Sequence, residues 1–325
     1  MHEITVVAGI DIGGLTTEIG LVSKEGKCYN RKTIITKEFI DVNDFIKECL
    51  IVIDKLKDDC NENLNVKAIG IGAPNANFYK GTIEHAVNLT WKGIIPFVKI
   101  FNQYTSLPVA LTNDANAAAI GEKTFGGAKG MENFLSITLG TGLGSGIYTN
   151  GKLLHGHKGF AGEMGQVIIK DDGRICGSGK RGCLEAYVSV LGIRRTIYYL
   201  LADLIQESEF RDIPFNQLTG EQITKAAKNG DEIALKAFEF TAEILGKKLA
   251  DIIYILDPEA IFIGGGLAKA GEILLSPVKN AMEENLLPVF KNKVILKTSD
   301  LIDQNSAILG ASALGWANIQ ETNIN

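Results

Sequence analysis

Residues 4–12, ITVVAGIDI, form an apolar run rich in β-branched side chains, which predicts a buried strand. A glycine turn follows, and TTEIGLVS alternates apolar and polar positions as a second strand. Residues 42–58 carry the 3.6-residue period of an amphipathic helix. VKAIGIGAP, residues 66–74, predicts another buried strand, stopped by Pro74. PVALTND (108–114) reads as a strand that runs straight into the helix ANAAAIGEKTFG, with glycine as its stop signal.

The opening pattern returns in mid-chain. FLSITLGTGLGSGIYTNG (134–151) is again strand, glycine turn, strand, although the two stretches are not a repeat in sequence. Mostly helical patterns then run to about residue 254. EAIFIGGGLAKAGEIL supplies strand, glycine turn and helix, and AILGASALGWANI a closing helix. Strands alternating with helices predict an α/β architecture. No Pro/Ser linker divides the chain, so the echo predicts two related lobes joined by packed crossovers near 113–115 and 304–306. The assigned lobes are 1–113 with 305–325, and 114–304.

Composition narrows the function. The chain has 325 residues, 46% hydrophobic and 22% charged, with a formal net charge of -5. That balance fits a globular protein and gives no basic field for nucleic acid. Five cysteines lack framework spacing, and no apolar run reaches the ~20 residues that span a bilayer. The N-terminus enters a strand pattern with no charged leader, so the expected location is cytoplasmic. Glycine is abundant, 36 residues in the chain, and clusters in short motifs at strand ends.

Three such motifs end buried strands: Asp11-Ile-Gly-Gly14, Gly140-Thr-Gly-Leu-Gly144 and Gly264-Gly-Gly266. Glycine lets main-chain N–H groups wrap an anion, and neighbouring threonines add donors, so a nucleotide phosphate site is one reading; ordinary hairpins and caps are the other. None fits the P-loop spacing. Asp11 is either a turn cap or a carboxylate holding Mg²⁺ through water beside a transferred phosphate. Asn113-Asp114 is either a helix N-cap or, at a strand's C-terminal end, a ligand-site pair whose carboxylate accepts a hydroxyl proton.

Six motifs in order resemble the ROK family (repressors, open reading frames, kinases) of sugar kinases, in the actin-like ATPase superfamily. They are DIGGLTTEIGLV near the start, NDANAAAIGE at 113–122, LGTGLGSGI at 139–147, KGFAGEMGQ at 158–166, CGSGKRGCLEAY at 176–187 and IFIGGGLAKAG at 261–271. The resemblance spans nearly the whole chain. It implies a two-lobed, ribonuclease H-like fold with a duplicated strand–turn–strand-rich sheet plus helices, closing over ATP, Mg²⁺ and a hexose. It puts Asp11, Gly13, Gly14 and Thr16 at the γ-phosphate, Thr141 and Gly142 at the second phosphate turn, and Gly265 and Gly266 near the adenosine. Asp114 is implied as general base for the 6-hydroxyl, with Asn75, Asn113, Glu163 and Glu185 as hydrogen-bonding partners of the sugar. By their own sequence context, Glu163 reads equally as a solvated loop residue and Glu185 as a first-turn glutamate.

The chain departs from the family pattern in two places. ROK proteins commonly hold a structural zinc with one histidine and three cysteines; here Gln166 stands for the histidine and Ser178 for the middle cysteine. Cys176 and Cys183 alone fall two ligands short of a tetrahedral site, and His155 and His157 lie off the family position. The expectation is no stoichiometric zinc, with Gln166 hydrogen-bonding the sugar in the histidine's place. Leu15 replaces the usual threonine of the first phosphate turn and removes a hydroxyl, which Thr16 or Thr17 can supply.

The expected activity is ATP-dependent phosphorylation of glucose to glucose 6-phosphate in carbohydrate metabolism. The alternatives are an N-acetylhexosamine kinase of the N-acetylmannosamine type, and a catalytically weak, sugar-binding regulatory protein. A DNA-binding repressor is disfavoured by the acidic charge and by the first motif starting at Asp11. The expected partners are hexose and ATP, with no nucleic acid and no membrane, in a homo-oligomer (dimer or tetramer).

Overall fold

A computed structural model describes residues 3–302, 304 and 306–322. The order of elements is β1 (Ile4–Ile12), β2 (Thr17–Val22), β3 (Cys28–Ile34), α1 (Val42–Asp58), β4 (Leu64–Ala73), β5 (Ala76–Asn77), β6 (Thr82–Glu84), β7 (Ile94–Ile95), α2 (Phe97–Phe101), β8 (Val109–Asn113) and α3 (Asp114–Thr124). Then follow β9 (Phe134–Leu139), β10 (Leu143–Thr149), β11 (Lys152–Leu153), α4 (Glu185–Val188), α5 (Val190–Asp203), α6 (Gly220–Lys228), α7 (Glu232–Leu256), β12 (Ala260–Gly264), α8 (Glu272–Glu284), β13 (Ile295–Thr298) and α9 (Ser306–Thr322). The apolar periods placed β1, β2, α1, β4 and β8 within two residues of these bounds.

The chain divides into two compact units. The first gathers the described residues of Met1–Gly130, Leu153–Ala161 and Asp303–Asn325, the second Met131–Lys152 and Gly162–Ile302. Helix α3 groups with the first unit, so this division comes later than the 113/114 boundary read from sequence. The cause is packing: a side chain at Gly310 of α9 would strike the Ala117 carbonyl of α3 at 2.2 Å, so the two helices touch backbone to backbone. Of the 305–325 segment, residues 305 and 323–325 lie outside the described residues.

Each unit is built on a five-stranded sheet of the same plan. The first runs β3-β2-β1-β4-β8 and the second β11-β10-β9-β12-β13. In both, the leading strand pairs antiparallel with the next (β1 with β2, β9 with β10) and parallel with a later strand (β1 with β4, β9 with β12). The echo heard in the sequence is this duplicated sheet.

The core of the first unit is aliphatic and aromatic: Ile10, Ile19, Leu21, Phe45, Phe97 and Phe101 are fully buried. Phe45 sits on Trp91 with ring centroids 4.7 Å apart, and on Phe97 at 6.4 Å. On the sheet's other face α9 lies close because glycine makes room. An added Cβ on Gly9 would meet the Ile308 carbonyl at 2.4 Å, and one on Gly70 the Ala311 carbonyl at 1.9 Å. The second unit packs α7 and α8 around Leu245, Leu249, Val278 and Met282, all fully buried. Gly246 again allows the contact, its missing Cβ pointing 2.5 Å from the Val278 carbonyl.

Candidate functional site

In the first unit the site grows from the ends of β1, β4 and β8. Parallel pairing puts Asp11 beside Gly72 and Ala73 beside Asn113, so the C-terminal ends of three strands align. Such ends are where α/β folds place ligands. Gly72 leaves room there: a Cβ on it would lie 3.6 Å from the Asp114 Cα and 3.7 Å from the Asp11 Oδ1.

The β1–β2 turn is tight, with the Gly13 N–H donating to the Thr16 carbonyl at 2.9 Å. Side chains do not fit at its glycines, since a Cβ at Gly14 would strike the Asn88 carbonyl at 2.6 Å. Thr17 is committed elsewhere, its hydroxyl buried against that of Thr36 at 2.7 Å. Thr16 is exposed and remains the hydroxyl this turn can offer. Leu15 also projects outward, 68% exposed.

Asn113 is the N-cap of α3, its Oδ1 accepting from the Ala115 N–H at 2.9 Å. The cap reading of Asn113 holds, and the cap uses the oxygen, leaving the amide nitrogen able to donate. Asp114 is the first residue of α3, and its Oδ1 also accepts from Ala115 N–H at 2.8 Å. Asp114 is exposed as a residue, yet protein atoms crowd closely around its carboxyl. Burial pushes its pKa up, against the backbone N–H bonds that pull it down. Asp11 is raised to about 7, by burial first and then by the charges of Asp114 and Glu18. Glu18 faces Asp11 across the β1–β2 ladder. It escaped notice in the sequence because TTEIG alternates like any half-exposed strand.

Asn75 adopts a left-handed backbone (φ 53) just after β4. Its Nδ2 donates to the Glu84 carbonyl at 3.1 Å, which fixes the amide and leaves Oδ1 to accept.

In the second unit two glycine turns meet backbone to backbone. Gly265, with φ +85, sits where a Cβ would lie 2.5 Å from the Leu139 carbonyl, one residue before the Gly140–Gly142 turn. That turn closes with Gly140 N–H on the Gly142 carbonyl at 3.0 Å, leaving Thr141 exposed. Gly266 opens onto free space.

Glu185 stands beside the same turn, its Oε2 2.9 Å from where a Gly142 Cβ would sit. Its Oε1 accepts from Gln166 Nε2 at 3.1 Å. Ser178 Oγ donates to Gln166 Oε1 at 2.8 Å and lies 3.0 Å from Cys176 Sγ, which is 2.8 Å from Cys183 Sγ. The four positions that align with the family's zinc ligands thus form a hydrogen-bonded chain ending at Glu185. Among the described residues no group of three or more His, Cys, Asp and Glu is arranged to hold a metal. Glu163 precedes the short turn Met164–Gln166 and is exposed, as its loop context suggested. The stretch around it is anchored by Ser145 Oγ donating to the Gly162 carbonyl. Within the 176–187 motif Ser178 stands only where a ligand is missing; a serine in a glycine-rich loop gives no sign in sequence of linking Gln166 to the thiols.

No described helix is long and apolar enough to cross a membrane. The ROK family profile matches residues 7–317. A glucokinase of Thermotoga maritima is 31% identical over 321 residues, 94% of this chain and 96% of that protein. A glucokinase of Halalkalibacterium halodurans is 33% identical over 329 residues, 97% of this chain and 95% of that one. Among solved structures, a ROK family glucokinase from Streptomyces griseus in complex with glucose and AMPPNP superposes with a TM-score of 0.82, at 30% identity, over 96% of this chain and 99% of that one.

Proposed function

The chain belongs to the ROK family, and from that premise we propose that it is an ATP-dependent hexose kinase acting first on glucose. The observation that carries the reading into chemistry is the Asp11–Asp114 pair across Gly72, next to the glycine turn after β1. A kinase needs one carboxylate to receive the hydroxyl proton and another to steady the cation on the phosphates.

Asp114 takes the first role. Burial raises its pKa, which makes it a better proton acceptor than an ordinary aspartate. The helix N-cap by Asn113 fixes the backbone that carries it, and Asn113 Nδ2 and Asn75 Oδ1 orient sugar hydroxyls. Glu163, Gln166 and Glu185 are the sugar's further partners; a carboxylate accepts two hydroxyls at once, which suits a polyol.

ATP is assigned to the glycine turns. Gly13, Gly14 and Thr16 suit the γ-phosphate, Thr141 and Gly142 the second phosphate turn, and Gly265 with the open space at Gly266 the adenosine. Mg²⁺ is assigned to Asp11 alone, held through water, a contact that needs one carboxylate rather than a cluster of direct ligands. When bound, the cation neutralises phosphate charge. The thiol–serine–glutamine chain stands in place of zinc and positions Glu185.

A coupled assay for ADP over a panel of hexoses tests this directly. Turnover on glucose above that on N-acetylmannosamine is expected. Tight sugar binding by calorimetry with no turnover on any hexose sinks the kinase reading.

A further inference from the structure

The segment that replaces the zinc loop is a small hairpin. Ile175 bridges Arg181 antiparallel, Cys176 N–H donates to the Lys180 carbonyl at 2.9 Å, and Gly182 N–H to the Arg174 carbonyl at 2.9 Å. Gly182 has φ +76, and a Cβ on it would overlap the Lys170 carbonyl at 1.8 Å, so the hairpin is pinned against 170. This frame holds Cys176 Sγ and Cys183 Sγ 2.8 Å apart, well inside ordinary nonbonded contact between sulfurs. Reaching the about 2.05 Å of a disulfide asks for less than an ångström of movement.

The two thiols are covered, 5% and 0% exposed, but the cover is thin. Gly177 through Arg181 are all exposed, so a molecule the size of water needs to pass only one loop layer. The acidities of the pair diverge. Burial raises Cys176, yet hydrogen bonds from Cys183 and Ser178 outweigh it and hold the thiol below its ordinary value. Burial raises Cys183, and the adjacent Cys176 charge keeps it up at about 11. By contrast, burial raises the thiols of Cys28 and Cys49, which have no such partner nearby.

The geometry points to Cys176 and Cys183 as a reversible disulfide couple, oxidised by a small peroxide and reduced by a small thiol, that reports redox state to Glu185. In the forward direction the Cys176 thiolate attacks one peroxide oxygen, the O–O bond breaks, and hydroxide leaves with a sulfenic acid formed. Cys183 sulfur then attacks the sulfenic sulfur; its proton and the departing hydroxide leave as water. Two thiols are oxidised and one hydrogen peroxide becomes two waters. The consequence follows from the chain of contacts: a disulfide sulfur has no proton to give the Ser178 oxygen, whose own proton goes to Gln166 Oε1, and Cys183 lies two residues from Glu185. The effect on the sugar rests on the kinase reading above; the disulfide itself does not.

The test uses the full chain, reduced and then titrated with hydrogen peroxide. Peptide mapping should find Cys176 linked to Cys183, with two of the five free thiols lost, and dithiothreitol should restore both. Oxidation should raise the hexose KM on the order of 3–10-fold through a weakened Glu185 contact, leave the ATP KM little changed, and be absent in Cys176→Ser. Cys183→Ser serves as a second variant if the first folds poorly. Unlinked cysteines after peroxide, or complete linkage with an unchanged hexose KM, overturn the proposal. If no hexose is turned over in either redox state, the mapping still decides the disulfide, and the failure belongs to the kinase reading.

Discussion

Asp11 and Asp114 flank Gly72 closely enough that a side chain at 72 would stand 3.7 Å from the Asp11 Oδ1 and 3.6 Å from the Asp114 Cα. Two strands and the first turn of α3 contribute one residue each to this spot, and the absent Cβ keeps the carboxyls in reach of one another. Their mutual repulsion is one of the forces holding Asp11 near 7.

Replacing Asp114 with Asn should lower kcat about 10²–10⁴-fold, the usual contribution of a positioned base, with hexose affinity by calorimetry nearly unchanged. The same substitution removes the second-largest cause of the Asp11 shift, so Asp11 should titrate below about 7 by carboxyl NMR. Near-normal turnover in this variant means the base is elsewhere.

The ligand-free protein should lose stability as pH rises. Asp11 is raised to about 7 when folded, against about 3.9 unfolded. Between those values the folded state binds more protons than the unfolded one, so stability falls through that window and stays low above it. Asp114, raised as well, acts in the same direction. Asp11→Asn should flatten the slope, melting higher than wild type at pH 8 and close to it at pH 5, while turnover drops. A Tm that climbs from pH 5 to pH 8 in the metal-free wild type contradicts the assignment.

Glu185→Gln should raise the hexose dissociation constant about 10–100-fold, as expected for losing a charged acceptor worth about 1.5–3 kcal/mol. The melting temperature should barely move, because the isosteric amide keeps the packing beside Gly142. Sugar affinity within two-fold of wild type, roughly 0.4 kcal/mol, would show that Glu185 serves only the loop.

Dialysis against a chelator should leave wild-type protein without stoichiometric zinc by elemental analysis. Gln166→His combined with Ser178→Cys supplies a histidine and a third thiol to the existing pair, and should bind about one zinc per chain, as four N/S ligands do elsewhere. One tightly held zinc in the wild type refutes the expectation.

The strands at Ile4–Ile12 and Leu64–Ala73 and the helix at Val42–Asp58 were legible because each buries one continuous apolar run or face. So was the duplication, because both leading strands end in glycine turns. The 174–182 hairpin was not, because its pairing rests on main-chain bonds and on Gly182 rather than on alternating side chains. Glu18 was hidden for a related reason: its importance lies in standing opposite Asp11 across a ladder, a relation that register sets and spacing does not. The contacts between Gln166, Ser178 and Glu185 join residues up to 19 apart through a loop of irregular backbone, where no period exists to read.

The seating of α9 on Gly9 and Gly70 bears on how the protein is made. The strand at Ile4–Ile12 leaves the ribosome before the second unit, and the helix that covers it, Ser306–Thr322, after it. During synthesis the second unit can fold while the first still lacks its lid, with a glycine-rich sheet face open to water. Late closure of so long a loop is slow, so the first sheet waits longest for its cover.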